Sequence, residues 1–140
     1  MPDYIHETEF EVRDYECDIQ GIVNNAVYQQ YLEHARHKFL LAAGLNFYEL
    51  HEQNIDPVVY RAEIDYKYPL KSGDSFVCKL NYKQKGHVRI IFYQDIYRKT
   101  DGKLILKAEI TAVVLKNGKP VLPVIFTDAF KKYEKTADIK

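Results

Sequence analysis

The alternation of apolar and polar positions changes period twice along the chain. Phe10 and Val12 alternate with Glu9, Glu11 and Arg13, the two-residue period of a short strand. From Tyr28 the period lengthens. Tyr31, Leu32, Ala35, Phe39 and Ala42 recur at helical spacing while Gln29, Gln30, Glu33 and His37 fall on the opposite face, which predicts a long helix with Gly44 as its stop. From Val58 the shorter period returns: Val58, Tyr60, Ala62, Ile64, Tyr66 and Tyr68 interleave with Val59, Arg61, Glu63, Asp65 and Lys67, a run that no helix uses to bury one face. Three more strands are predicted over Phe76–Lys83, Val88–Arg98 and Leu104–Lys116. They are separated by KSGD, a KG pair and TDGK, turn chemistry suited to antiparallel hairpins. Asn117-Gly118 leads into a last short strand near Val121, and the charged, apolar-poor KKYEKTADIK at 131–140 reads as a frayed tail.

One long helix followed by a succession of antiparallel strands predicts an α+β layer fold, in which a curved antiparallel sheet wraps a central helix. The chain has 140 residues, enough for one core, and a single domain over 1–140 is expected. A single sheet in so short a chain leaves strand edges open and the helix incompletely covered, so pairing with a second copy is expected.

Composition narrows the partners. Lys and Arg number 20 and Asp and Glu number 20, for a formal net charge of zero, so no global field favours nucleic acid. The N-terminal MPDYIHETEF lacks a basic region followed by an apolar run, and no apolar stretch approaches the roughly 18 residues of a membrane span. A cytoplasmic chain without membrane attachment is expected. Cys17 and Cys78 fit reduced thiols and lack the paired spacing of a zinc site, so no cofactor is implied.

The chemistry concentrates in YECDIQGIVNNAVYQQYLEHAR, from Tyr15 to Arg36. Alone, Asp18 is an ordinary turn or cap residue ahead of a helix. Its conjunction with Gly21, Val23, Tyr28, Glu33 and Arg36 exceeds what capping requires. The segment resembles the start of hot-dog-fold acyl-CoA thioesterases, most of all the 4-hydroxybenzoyl-CoA thioesterase family, with its D-x-x-G-x-V turn and Y-x-x-Y-x-E-x-A-R-like helix. The resemblance implies a hot-dog fold, hydrolysis of an acyl-CoA to free acid and CoA, and a homodimer or homotetramer with sites between protomers. It places the catalytic carboxylate at Asp18, as nucleophile or general base, and a backbone donor that orients the thioester carbonyl near Asn25. A module that binds acyl groups without cleaving them is the alternative. A hot-dog dehydratase is disfavoured because no histidine lies near Asp18 in sequence.

Other residues are ranked against that site. Glu16, two positions from Asp18, points to the opposite side of an extended backbone, which argues against a paired-acid mechanism. Asn24 is the better cap of the two asparagines. Tyr28 is a candidate to line an acyl pocket. Glu33 and Arg36, three apart, read as structural residues that either pair with each other or reach across to the first strand and a dimer partner. His34 and His37 lack a third metal ligand, and Cys17 lacks a base. Lys83, Lys85, His87 and Arg89, within KQKGHVR, form the local basic group expected to hold CoA phosphates, with Arg61 a weaker addition.

Overall fold

The computed structural model describes residues 3–133. The elements run β1 (His6–Glu11), α1 (Asn25–Ala42), α2 (Phe47–Glu52), β2 (Ile55–Tyr66), β3 (Ser75–Lys85), β4 (Arg89–Arg98), β5 (Leu104–Lys116), β6 (Lys119–Val121) and α3 (Val124–Phe130). Single 3-10 turns lie at Asp14–Glu16 and Lys131–Tyr133. The strands form one antiparallel sheet in the order β1-β3-β4-β5-β2, with β6 joined to the end of β5.

Helix α1 starts earlier than its apolar period because Asn24 caps it: the side-chain oxygen accepts the Ala26 N–H at 2.9 Å. It ends where Gly44 takes φ +90°, a conformation in which a β-carbon is strained. Its buried stripe of Tyr28, Tyr31, Leu32, Ala35, Phe39 and Leu40 lies on the inner face of the sheet. That face is formed by Phe76, Cys78 and Leu80 of β3, Ile90, Phe92 and Ile96 of β4, and Leu106, Ala108, Ile110 and Ala112 of β5, all buried. The expected α+β arrangement, a helix wrapped by an unclosed antiparallel sheet, is what the chain forms.

Three features depart from the sequence pattern. The alternation in β2 is broken by a bulge between Val59 and Arg61, so Pro57 and Val59 face inward opposite Val114 and Ala112, followed by Ala62, Ile64 and Tyr66. Uninterrupted alternation would have placed Val58 and Tyr60 there instead. Helices α2 and α3 were not predicted; each is shorter than two turns of clear periodicity. α2 is set by Asn46, whose side chain accepts the Tyr48 and Glu49 N–H groups at 2.9 and 3.2 Å. α3 follows Pro123 and drops Phe126 and Phe130 into the core, where the Phe130 ring lies 4.7 Å from both Phe39 and Tyr82. Lys131–Tyr133, expected within the frayed tail, extend this plug, with Tyr133 5.2 Å from Phe39. The remainder of that tail, 134–140, lies outside the described residues.

Two edges remain. β1 is six residues long; β2 is twelve, and along it Val58, Val59, Tyr60 and Tyr66 are exposed. Among the described residues β2 has no strand on its outer side, and Asp56, Arg61, Glu63 and Asp65 stand along it beside the exposed apolar residues.

Candidate active site

The loop from β1 to α1 is held by backbone bonds at both ends. The Val23 N–H donates to Leu70 O at 2.9 Å, Ile22 bridges to Lys71, and Cys17 bridges to Val23. Within it the Asp18 N–H donates to Ile22 O at 2.8 Å and the Gly21 N–H to Asp18 O at 2.9 Å, closing a tight turn in which Gly21 has φ +82°. The exposed Asp18 carboxylate accepts one hydrogen bond, from the Gln20 N–H at 2.9 Å. Among the described residues its second oxygen meets no donor. Ile19, beside it, stands wholly in solvent.

Asn25 opens α1. The Asn24 side chain takes the Ala26 N–H and the Asn24 carbonyl takes the Val27 N–H, but among the described residues no protein acceptor meets the Asn25 N–H. A carboxylate and a free helix-terminal donor thus stand on one short, braced segment, an arrangement that can activate an attacking group and stabilise the oxygen it leaves negative.

Glu16 supplies a brace the sequence did not reveal. Its carboxylate accepts the Arg13 N–H at 2.9 Å and the Tyr31 hydroxyl at 2.8 Å, and its carbonyl accepts the Asn24 N–H at 3.1 Å. Burial, then the Glu16 carboxylate, push the Tyr31 hydroxyl well above the usual tyrosine range. One residue therefore fastens the turn that carries Asp18 to the helix that carries Asn25. The partner, Tyr31, lies fifteen residues away, and no local motif announces such a contact.

Tyr28 is buried, and its hydroxyl accepts the Leu70 N–H at 3.0 Å; burial pushes the hydroxyl pKa above the ordinary tyrosine value. Cys17 is half-exposed, its Sγ 4.0 Å from Arg13 O, and burial also raises its thiol, which disfavours the thiolate. His34 packs edge-on to Phe10, and His37 lies 3.7 Å from Glu33 and against Phe47. Among the described residues no three His, Cys, Asp or Glu side chains gather as a metal site.

Glu33 and Arg36 do not pair with each other, one of the two arrangements the sequence left open. Burial of the Arg36 guanidinium turns it inward, where Nη1 donates to Gln94 Oε1 at 3.0 Å, leaving Glu33 to His37. Gln94 is fully buried and donates in turn to Leu32 O at 2.9 Å. Arg36 borders a cavity of about 470 Å³ between α1 and the inner face, walled by Val59, Ile90, Phe92, Ala112 and Phe126.

The basic group occupies the β3–β4 hairpin. Lys83, Lys85, His87 and Arg89 are exposed, and Lys85 lies directly across from Arg89. The hairpin is at the far end of β3 from the Asp18 loop, which docks against Leu70 and Lys71 ahead of Ser75: from Ser75 to Lys85 is ten residue steps, or about 33 Å along the strand. Arg61 is engaged by Glu63 at 2.6 Å. Within one chain the structure does not bring the basic group to Asp18.

A helix wrapped by an unclosed antiparallel sheet is the hot-dog arrangement. The chain belongs to the thioesterase-like superfamily, whose family model matches residues 12–133. It is 41% identical over 112 residues to the acyl-acyl carrier protein thioesterase ATL2, chloroplastic, of Arabidopsis thaliana, covering 80% of this chain and 60% of that protein. It is 30% identical to the long-chain acyl-CoA thioesterase FadM of Escherichia coli, covering 78% of this chain and 82% of that protein. The chain spans about three-fifths of the length of the Arabidopsis relatives ATL2 and ATL3. In structure it resembles Slr0204, a 1,4-dihydroxy-2-naphthoyl-CoA thioesterase from Synechocystis, with a TM-score of 0.85 at 19% identity, over 93% of this chain and 98% of that one. No helix among the described residues is long and apolar enough to cross a membrane.

Proposed function

We propose that the protein is a thioester hydrolase that cleaves acyl-CoA or acyl-carrier-protein thioesters, with Asp18 as the reacting carboxylate and the Asn25 N–H as the carbonyl-orienting donor. The observation that carries this reading is the braced segment on which an Asp18 oxygen and the Asn25 N–H both lack partners among the described residues. The relatives named as acyl-carrier-protein and acyl-CoA thioesterases support the substrate class. Either Asp18 removes a proton from water, whose oxygen bonds to the acyl carbon as the carbon–sulfur bond breaks, or Asp18 itself bonds to that carbon and water then cleaves the mixed anhydride. Both routes end in a free acid and a thiol. Tyr28 anchors the floor through Leu70 and borders the acyl site.

The reading includes a homodimer or homotetramer working in the cytoplasm. Antiparallel pairing of the exposed β2 edge with β2 of a second copy turns one sheet end for end. The basic hairpin of one copy then lies toward the Asp18 end of the other, and Lys83, Lys85, His87 and Arg89 serve CoA phosphates across the pair. The exposed Ile19 and the exposed Val58, Val59 and Tyr60 of β2 are consistent with surfaces completed by assembly.

The test is a panel of acyl-CoA and acyl-carrier-protein thioesters with thiol detection, followed by single-turnover reaction in water enriched in heavy oxygen. Hydrolysis of members of the panel is expected. Label appearing in Asp18 would assign the anhydride route with water attacking the Asp18 carboxyl carbon; label in the acid alone is the product both of the water route and of attack on the acyl carbon of the anhydride, and trapping of an acylated Asp18 separates those two. Saturable binding with no thiol release from any member would contradict the hydrolase reading and favour an acyl-binding module.

A further inference from the structure

We infer that Arg36 is the residue that sets acyl specificity, by reading a neutral acceptor oxygen, a carbonyl or hydroxyl, carried on an otherwise apolar acyl group in the cavity between α1 and the sheet. The inference rests on the thioesterase reading for its substrate class, and on the following geometry for its content.

The cavity is of ligand size; its sheet side, with Val59, Ile90, Phe92, Ala112 and Val114, is apolar, and its polar side chains come from α1. Into it faces a guanidinium with five N–H donors, of which Gln94 Oε1 takes one. Gln94 cannot turn away, because its own amide N–H is fixed to Leu32 O and its side chain is fully buried. Arg36 is therefore an oriented fork of donors rather than a loose surface charge. Among the described residues no carboxylate lies within ion-pair distance of it.

That arrangement distinguishes between occupants. A plain alkyl chain filling the cavity strips water from the remaining guanidinium donors and returns nothing, and unmet donors of a charged group are costly. An acyl chain with an oxygen at the right depth replaces the lost water. The occupant's oxygen is assigned as neutral because Glu33 already borders the same cavity, one turn before Arg36, and its field acts on the guanidinium; a second carboxylate would be repelled by it. The remaining polar groups at the rim are Gln29, Gln30 and His37, and His37 is occupied by Glu33.

The mouth of the cavity includes Pro57 and Val59 at the start of the open β2 edge. Antiparallel pairing of β2 with a second copy brings the other copy's Asp18 end toward this mouth. The reading thus joins a specificity pocket in one protomer to a reacting carboxylate in the other.

The experiment uses the full chain and non-cleavable thioether analogues of octanoyl-CoA, in matched forms: plain, with a keto or hydroxyl group moved along the chain, and with a terminal carboxylate. Binding is measured by calorimetry for the unmodified protein and for Arg36→Met. At least one neutral oxygenated isomer is expected to bind about tenfold or more tightly than the plain chain, as for other sites built to hydrogen-bond their ligand, and the ratio should collapse toward one in Arg36→Met. Because Arg36→Met leaves the Gln94 oxygen without its donor, the double variant Arg36→Met/Gln94→Met carries the same comparison if the single variant fails to fold. Tightest binding by the plain or carboxylate analogue, or an oxygen preference that survives the loss of Arg36, would overturn the inference. Oxygen-selective binding that depends on Arg36, with no hydrolysis of the corresponding thioesters, would uphold it and count against the hydrolase reading alone.

Discussion

Replacing Tyr28 with Phe removes one oxygen atom from the most tightly enclosed part of the site. The hydroxyl accepts the Leu70 N–H at 3.0 Å, Leu70 is fully buried, and its carbonyl holds the Val23 N–H at 2.9 Å. The ring stays in place against Tyr31 and Tyr66, at 6.0 and 5.6 Å, so no large cavity opens. What remains is a buried N–H without an acceptor, a loss of about 1–3 kcal/mol rather than the smaller net worth of an average hydrogen bond. Urea unfolding followed by circular dichroism should show a lower midpoint at unchanged slope, the pattern of lost stability without a change in the surface exposed. Since Leu70 braces the Asp18 turn, turnover should fall with stability. A variant as stable as the parent would refute the claim that Leu70 depends on this hydroxyl. If its KM rose while stability held, the hydroxyl would belong to the substrate instead.

Three other outcomes are expected. Phe130→Ala should cost about 3–5 kcal/mol in the same unfolding assay, because the fully buried ring fills the end of the core against Phe39 and Tyr82; a loss under about 1 kcal/mol would show that α3 is dispensable. Burial pushes the Cys78 thiol up from 9.0 to about 12, so thiol reagents at mildly alkaline pH should titrate Cys17 in the folded protein and both thiols in urea. The sign follows: the folded state holds the Cys78 proton more tightly, and the associated stability is present below about pH 9 and lost as pH rises through 12. Charging the exposed β2 edge with Val58→Asp and Tyr60→Asp should lower the mass found by light scattering to that of a monomer while leaving the fold intact; unchanged mass would place the interface elsewhere.

How far the sequence reached can be read from particular residues. α1, its Asn24 cap and its Gly44 stop were legible because they follow from local period and backbone chemistry, and β5 was legible to the residue over Leu104–Lys116. The bulge at Tyr60 was not, since an extra residue in one strand leaves no mark on an apolar pattern that continues past it. α2 and α3 are too short to show a period. At the proposed site, the turn that carries Asp18 and the helix start at Asn25 were legible from the D-x-x-G-x-V spacing and the asparagine pair. The Glu16–Tyr31 and Arg36–Gln94 contacts join residues 15 and 58 positions apart; the first needs the loop folded back on α1, and the second needs the sheet curled around the helix. The separation of the basic hairpin from Asp18 has the same origin, because strand length and strand order, not distance along the chain, decide which ends meet.

The most direct test of the account is the rate of thioester hydrolysis by Asp18→Asn, measured by thiol release beside the unmodified protein on a substrate the unmodified protein cleaves. The substitution keeps the shape of the side chain and its acceptor for the Gln20 N–H while removing the ionised oxygen that meets no protein donor. The account predicts a folded protein that still binds the substrate and has lost about a hundredfold or more in kcat. A folded Asp18→Asn protein that turns over at the parent rate would contradict it.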